Sequence, residues 1–433
     1  METKVIENRG VEFRNIFLGE PEWLYGMRKE SWESYNNQPL PERVANIWRY
    51  TKPEYFLTKE SVVFADALPS TFGRDDGDKH QLSDKYSAIG YNHIDGTTFV
   101  NITPELMELG VIFKDICSGV REYEHLAERF LGRLVDHNFG KFEAYNMALW
   151  NTGFIIYVPD NAIVEKPILL NRHPLGSAAT TRLLAVVGKN SQATIIDDYS
   201  GAGRDKESGA NSVVEIFGDD FSRIRYVNLQ RLSSKSTLYM TQRAEIGRSA
   251  KIDSIFGALG GSISKVNAGA ILNGKGSESR IYGILFGNEQ QHFDYHTMHH
   301  HKESESLSNI NFKVVLKDKA VSAYTGLIRI EKETANCEAY QENRNLLLNK
   351  GTKAESIPEL EIMTDQVRCT HGATMGPIDP EMLFYLKSRG IDHDTAVRTI
   401  VSGFVEPTIN KMPMDLQNMI RNMVMAKLEG NLT

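Results

Sequence analysis

Ala193-Thr194-Ile195-Ile196, Arg223-Ile224-Arg225-Tyr226-Val227, Ala250-Lys251-Ile252-Asp253-Ser254-Ile255 and Arg280-Ile281-Tyr282-Gly283 are short β-rich runs separated by clusters of Gly, Asn, Asp and Ser. Branched and aromatic side chains suit a pleated, half-buried surface, and the small polar residues between them suit turns. Thr237-Leu238-Tyr239-Met240 and Phe312-Lys313-Val314-Val315 read the same way. A small residue opens a run at Ala193, Ser222, Ala250, Ser279, Ser306 and Ala335, at intervals of roughly 28 residues. No long helical period interrupts the stretch from Asn151 to Met375. A fixed interval over so many strands predicts a stack of repeats in which each rung buries its apolar face on the next. A parallel β-helix fits best. A β-sandwich or jelly roll, which also yields many short strands, stays open beside it.

Outside this stretch the pattern changes, dividing the chain into a mixed, helical N-terminal region (1–150), a β-helix core (151–376) and a helical C-terminal region (377–433). Pro21 to Trp32 reads as a helix with Pro near its start. Leu126, Phe130, Leu131 and Leu134 recur at helical spacing and predict a second helix from about Glu122 to Asn138. Arg74-Asp75-Asp76-Gly77-Asp78-Lys79 reads as a polar loop; its acidic spacing fits no calcium motif. Near the C-terminus, Asp379 before Pro380 marks a helix start and Gly390 its stop. Asp392 opens a second helix that Gly403 is expected to close. Pro413 opens a third, with Leu416, Met419, Ile420, Met423 and Val424 on one face, either packed internally or presented to a partner.

The 433 residues carry a formal net charge of −7, which argues against a nucleic-acid binder. No apolar run approaches the length of a membrane span, and the first residues lack the apolar core of a signal peptide. Cys117, Cys337 and Cys369 form no CxxC pair, so a reducing, cytoplasmic setting with free thiols is expected.

Gly269-Ala270-Ile271-Leu272-Asn273-Gly274-Lys275-Gly276 nearly matches a phosphate-binding loop. Gly276 stands where a magnesium-binding hydroxyl is needed, and another strand, not a helix, is expected next. It reads as a turn between rungs, and no ATP hydrolysis is expected of this chain. His292, His296, His299, His300 and His301 form the densest histidine group. On a helix three of them would share a face suited to zinc; on a strand His299 and His301 share one face and His300 takes the other. Cys369 and His371 stand two apart in Val367-Arg368-Cys369-Thr370-His371-Gly372, a run that reads as a strand. Side chains at that spacing share a face. A thiol beside an imidazole suits iron, zinc or copper, or thiol chemistry, although a cysteine is as often a small buried hydrophobe.

Four segments in order, Asn343-Arg344-Asn345-Leu346-Leu347-Leu348, Pro358-Glu359-Leu360-Glu361-Ile362, Val367 to Thr374, and Leu383-Phe384-Tyr385-Leu386-Lys387-Ser388-Arg389-Gly390-Ile391, resemble the SufB/SufD family of the SUF iron–sulfur cluster assembly system. Asn151-Thr152-Gly153-Phe154 with Val158-Pro159 resembles the family's entry into its central domain. The resemblance spans roughly residues 150–410. It implies a right-handed parallel β-helix flanked by helical regions, subunits paired through their β-helices, and SufC-type ABC ATPases docked on the C-terminal helices. Leu383, Phe384, Tyr385, Gly403 and Phe404 fall in or near that docking region.

The Cys-Thr-His-Gly-Ala-Thr segment resembles the SufD form. SufB has a glutamate about where His371 stands, and its proposed acceptor cysteine falls at about Asn343. The resemblance makes His371 a candidate ligand for a transient iron–sulfur cluster at a subunit interface, with Cys369 beside it, and Cys337 optional. It implies a non-catalytic, SufD-like scaffold partnered by a SufB-like chain or a second copy of itself and by a SufC-like ATPase, with no tightly bound cofactor. The rival readings are a carbohydrate-active β-helix enzyme and a metal-dependent enzyme built on the histidine group.

Overall fold

The structure, a computed structural model, describes residues 4–5, 19–43, 46–57, 63–64, 84–92, 98–173, 179–201 and 208–430. The polar stretch Arg74–Lys79 lies outside the described residues. From Thr152 onward the strands alternate between two sheets. Thr152–Val158, Ala179–Val187 and Gly209–Gly218 begin the first; Ile168–Arg172, Gln192–Ser200 and Arg223–Arg231 begin the second. The alternation continues to Lys353–Ile362 in the first sheet and Val367–Pro377 in the second. Successive strands of each sheet are parallel and in register, so Gln192, Arg223 and Lys251 are stacked neighbours. This is the parallel β-helix.

Inward-facing positions of the two sheets meet in one core. Ile195, Tyr226, Ile281 and Ile310 come from the second sheet, and Met240, Val266, Tyr295 and Tyr324 from the first. Tyr226, Phe256, Tyr295, Phe312 and Tyr324 form an aromatic ladder with successive ring centroids 6.3, 6.3, 5.9 and 4.9 Å apart. Such offset and edge contacts add to the burial of the rings themselves.

One corner carries a second ladder. Asn161, Asn190, Phe221, Ser249, Gly276, Glu305 and Asn336 all have φ between 53° and 71°. Each N–H donates to a carbonyl one rung on: Asn190 to Asp220, Phe221 to Arg248, Ser249 to Lys275. The residue type varies, so the inter-rung hydrogen bond, not the side chain, holds this left-handed turn, at a cost of about 1 kcal/mol for each non-glycine residue.

The ladder of small buried residues follows that corner by one position: Ser191, Ser222, Ala250, Ser277, Ser306 and Cys337. The period expected from sequence is therefore right, but Ala193, Ser279 and Ala335 are each two residues out of register. A slip of two preserves the alternation of a strand and is invisible to it. The glycine-rich run 269–276 ends one strand, Ile263–Leu272, and turns into the next, Glu278–Gly287; no helix follows. At the entry to the β-helix Gly153 has φ +139°, and a Cβ there would lie 1.8 Å from the Arg182 carbonyl oxygen. Only glycine fits.

The N-terminal region joins both sheets. Ile112–Asp115 pairs antiparallel with Thr152–Val158, and Thr98–Ile102 pairs antiparallel with Ala88–Asn92, which continues the second sheet. The first predicted helix runs Glu22–Asn37. The helix expected from Glu122 to Asn138 is instead two short helices, Ile116–Glu122 and Glu124–Phe130, followed by a turn with Gly132 at φ +77°. The cause is a buried carboxylate. Glu215 accepts the N–H groups of Gly132 and Leu134 at 2.9 Å and of Val135 at 3.2 Å. A buried charge needs donors, and here it takes amides that a helix would have used internally. Leu126, Phe130, Leu131 and Leu134 still share one apolar cluster.

At the other terminus Asp379 caps Pro380–Ser388 by accepting the Glu381 N–H at 2.8 Å, and Asp392 caps His393–Ile409 by accepting the Thr395 N–H at 2.9 Å. Gly403 does not close the second helix, which continues to Ile409 with Pro407 inside it. Val401, Val405 and Ile409 bury against the outer face of the second sheet. That burial outweighs the cost of an exposed interior glycine, about 1 kcal/mol. The third helix, Met414–Glu429, lays Leu416, Met419, Ile420, Met423 and Val424 on the same sheet face, so its stripe is internal packing. No described helix is long and apolar enough to cross a membrane.

Candidate functional site

The C-terminal end of the β-helix differs from the rungs beneath it. In the second sheet, Ile310, Phe312 and Val314 stack under Gln341, Asn343 and Asn345, which stack under His371, Ala373 and Met375. The interior thus passes from apolar to amide to the last, exposed rung. Gln341, Asn343 and Asn345 are buried, at 2%, 1% and 5% exposure. Asn345 Nδ2 donates to Asn343 Oδ1 at 2.8 Å and to the Thr374 carbonyl at 3.2 Å. Gln341 Oε1, Asn343 Nδ2 and Asn345 Oδ1 meet no partner among the described residues. Buried polar atoms without partners are uncommon and ask for an explanation.

Cys369 and His371 sit on this last strand, Val367–Pro377. Cys369 is half-buried against a small cluster of Ile328, Ile330, Cys337 and Ala339. Burial raises its thiol pKa, which keeps it protonated. His371 is exposed. The structure therefore puts both where the strand spacing predicts, one thiol tucked under the rim and one imidazole on it. Cys337 and Cys369 share this apolar cluster, whereas Cys117 lies apart in the N-terminal region. Cys337 is buried with Sγ 3.3 Å from Ser306 Oγ, and Cys117 lies 3.3 Å from the Asn151 carbonyl in the N-terminal cluster, its pKa pushed up to about 12 by burial.

The histidine group is a strand, His292–His301, and its members are divided between two faces. His299 and His301 point into the β-helix. His299 Nε2 pairs with Ser279 Oγ at 2.9 Å, and His301 pairs with Ser306 and Ser308 at 2.7 and 2.8 Å. Burial holds both imidazoles neutral, with the His301 pKa lowered to about 4. His296 faces outward to Asp294 at 2.8 Å, and Asp294 also takes the Lys265 ammonium at 2.9 Å. His300 faces Glu331 at 2.7 Å. Each ring has its own partner, although His299 Nδ1 meets none among the described residues, and no group of three metal-ligating side chains occurs among them.

Lys353–Ile362 and Val367–Pro377 end their sheets, and no described strand pairs with their outer edges. Leu360, Ile362, Met363 and Met375 are exposed along this rim. The helix Pro380–Ser388 follows directly and buries none of its residues. Phe384 is 73% and Tyr385 56% exposed, with Leu383 half-buried. Gly403 is exposed on the next helix, whereas Phe404 turns onto the β-helix, where the Lys313 ammonium lies 5.5 Å from its ring. Of the five candidate docking residues, Leu383, Phe384 and Tyr385 thus lie on a solvent-facing helix, Gly403 is exposed on the next, and Phe404 makes an internal contact.

A model of the SufBD core domain of SUF-system FeS cluster assembly matches residues 170–404, and a model of the SufBD protein N-terminal region matches residues 12–170. The chain belongs to the SufBD family. It is 25% identical over 426 residues to an iron-sulfur cluster assembly SufBD family protein of Staphylococcus saprophyticus, covering 95% of this chain and 91% of that protein. It is 26% identical over 444 residues to one of Staphylococcus aureus strain MRSA252, covering all of this chain and 94% of the relative.

The SufBD core match takes in Cys369, His371, Phe384, Tyr385 and Phe404, so the rim and the exposed helix belong to the family's domain. Sequence reasoning passed over Gln341, Asn343 and Asn345 as a floor. The available signal was the interval: Gln341 precedes His371 by one rung, and the same step leads down from Gln341 to Ile310.

Proposed function

We propose that this SufBD chain is a SufD-like scaffold that pairs, through the open end of its β-helix, with a SufB-like chain or a second copy of itself. In this reading the exposed helix Pro380–Ser388 carries an ABC-type ATPase of the SufC kind. The open end is the observation that carries it. Two strand edges side by side, which no described strand pairs, offer rows of N–H and C=O groups that a second β-helix could continue. Leu360, Ile362, Met363 and Met375 supply the apolar contact that such an interface needs.

His371 then lies at the junction between subunits, and iron and sulfide are its cargo. An imidazole binds iron but holds a cluster less tenaciously than four thiolates, which suits assembly followed by release. Cys369 is the adjacent thiol; uncovering it would lower its pKa and favour the thiolate that metals require. Asn343 is an amide where a SufB-type acceptor thiol would fall, so the partner supplies sulfur acceptance. The chain has no phosphate loop, and ATP hydrolysis belongs to the docked ATPase. Dimerisation of two ATPases would pull on Phe384 and Tyr385. The helix His393–Ile409, bedded on the second sheet, would pass that pull to the paired rims. The thiols suit a reducing cytoplasm.

Light-scattering mass on a sizing column, with the chain alone and with a SufC-type ATPase, tests the reading. A complex of two ATPases with two β-helix subunits is expected. A monomer indifferent to the ATPase would refute it.

A further inference from the structure

The inward ladder of the second sheet runs Ile195, Tyr226, Ser254, Ile281, Ile310, Gln341, His371. Gln341 is the first amide in that ladder and the last buried member before the rim. Its carboxamide crosses the interior to Gly326 on the facing strand, where an added Cβ would meet Nε2 at 2.3 Å and the Tyr324 hydroxyl at 2.6 Å. A glycine opposite is what gives this amide its room. Its Oε1 is buried and meets no donor among the described residues. Pro358, stacked over Gly326, has no N–H to give. The next residue in Gln341's own ladder, one strand towards the open end, is His371.

An imidazole that binds a metal through one nitrogen almost always donates its other ring N–H to a fixed acceptor, which sets the tautomer and the ring orientation. We propose that Gln341 is the positioning residue for His371: Gln341 Oε1 accepts one ring N–H, and the other nitrogen turns its lone pair outward, towards the junction where iron is held. The unpaired acceptor, the glycine that seats it and the imidazole above it are parts of one device. This rests on His371 being an iron ligand, but the Gln341–His371 hydrogen bond, which is not formed in the structure, needs no iron and can be tested without it.

The test separates the two. The chain is prepared with ¹⁵N-labelled histidine, and the His371 ring signals are identified by their loss in His371→Ala. Wild type is expected to show one dominant neutral tautomer. Gln341→Leu is expected to move the ring ¹⁵N shifts towards the mixed tautomers of a free imidazole, and Gln341→Glu to restore a single tautomer. Gly326→Ala, which displaces the carboxamide without removing it, should act like Gln341→Leu and serves if that variant does not fold. Identical His371 shifts in wild type, Gln341→Leu and Gly326→Ala would overturn the proposal; that result is expected if a buried water satisfies Oε1 instead. Titration with Co²⁺ alone then reads the ligand role. Affinity should fall about tenfold or more in Gln341→Leu and be lost in His371→Ala. Co²⁺ binding indifferent to His371→Ala, with a tautomer that still responds to Gln341, would remove the ligand reading while leaving the contact in place.

Discussion

At the N-terminal end of the β-helix both sheets are finished by strands from outside the repeat: Ile112–Asp115 on the first, Ala88–Asn92 and Thr98–Ile102 on the second. The buried charges there are paired, Arg172 with Asp197 at 2.6 Å and Arg182 with Glu215 at 3.5 Å, although Arg172 Nη2 meets no partner among the described residues. At the C-terminal end no described strand continues either sheet, the inward positions are amides with unpaired atoms, and the last rung is exposed. A solenoid needs a cap wherever it meets water. One end has its own; at the other no described strand supplies one. If the proposed pairing covers the open end, folding depends on the capped end and assembly on the open one, and substitutions at the two ends should fail in different assays.

The largest effect is expected at the capped end. Glu215→Leu leaves the Arg182 guanidinium buried without its carboxylate and strands three backbone amides, and should cost about 3–5 kcal/mol in denaturant unfolding. A loss under about 1 kcal/mol would mean that the cap does not need its charge pair.

Between the ends, His301 gives the stability a pH dependence. Burial lowers its pKa from 6.5 to about 4, so between those values the unfolded chain binds a proton that the folded chain refuses. Its contribution is present above pH 6.5 and is lost as pH falls to about 4, a change of about 3 kcal/mol. Subtracting the unfolding curve of His301→Gln from that of wild type should isolate this slope; parallel curves would deny it.

At the open end the pattern should invert. His371→Ala should leave unfolding within about 0.5 kcal/mol of wild type. It should slow cluster formation in the assembled complex at least about tenfold, equivalent to about 1.4 kcal/mol. A wild-type rate would end the ligand role while sparing the scaffold. The smallest effect belongs to the corner ladder: Ser249→Gly, at a site where the next rung already has Gly276, should raise stability by about 0.5–1 kcal/mol by relieving the left-handed strain. Destabilisation would show that the Ser249 side chain contributes more than its backbone costs.

How much of this was legible depended on periodicity. The β-helix, its interval and its helical flanks are visible in the sequence because each rung repeats the same alternation of branched and small residues. Register was not, because Ala193, Ser279 and Ala335 sit two positions from the true ladder on the same face. The left-handed corner was hidden because Asn, Phe, Ser, Gly and Glu all occupy it, held by a hydrogen bond to the next rung. The broken helix after Glu122 depends on Glu215, some eighty residues away, which no local pattern reports. Gly403 looked like a stop because the burial that carries the helix past it is tertiary. At the candidate site, the placing of Cys369 and His371 two apart on one strand was legible from their spacing. The stacking of Gln341 beneath His371 was not, since it arises only when one rung is laid on another.

Amide hydrogen exchange on the chain, first dilute enough to be monomeric and then assembled with a SufB-like partner and the ATPase, tests the open-end account most directly. Protection should rise across Lys353–Pro377 and the helix Pro380–Ser388, and stay unchanged at Ala88–Asp115. Protection gained at Ala88–Asp115 with none at Lys353–Pro377 would contradict it.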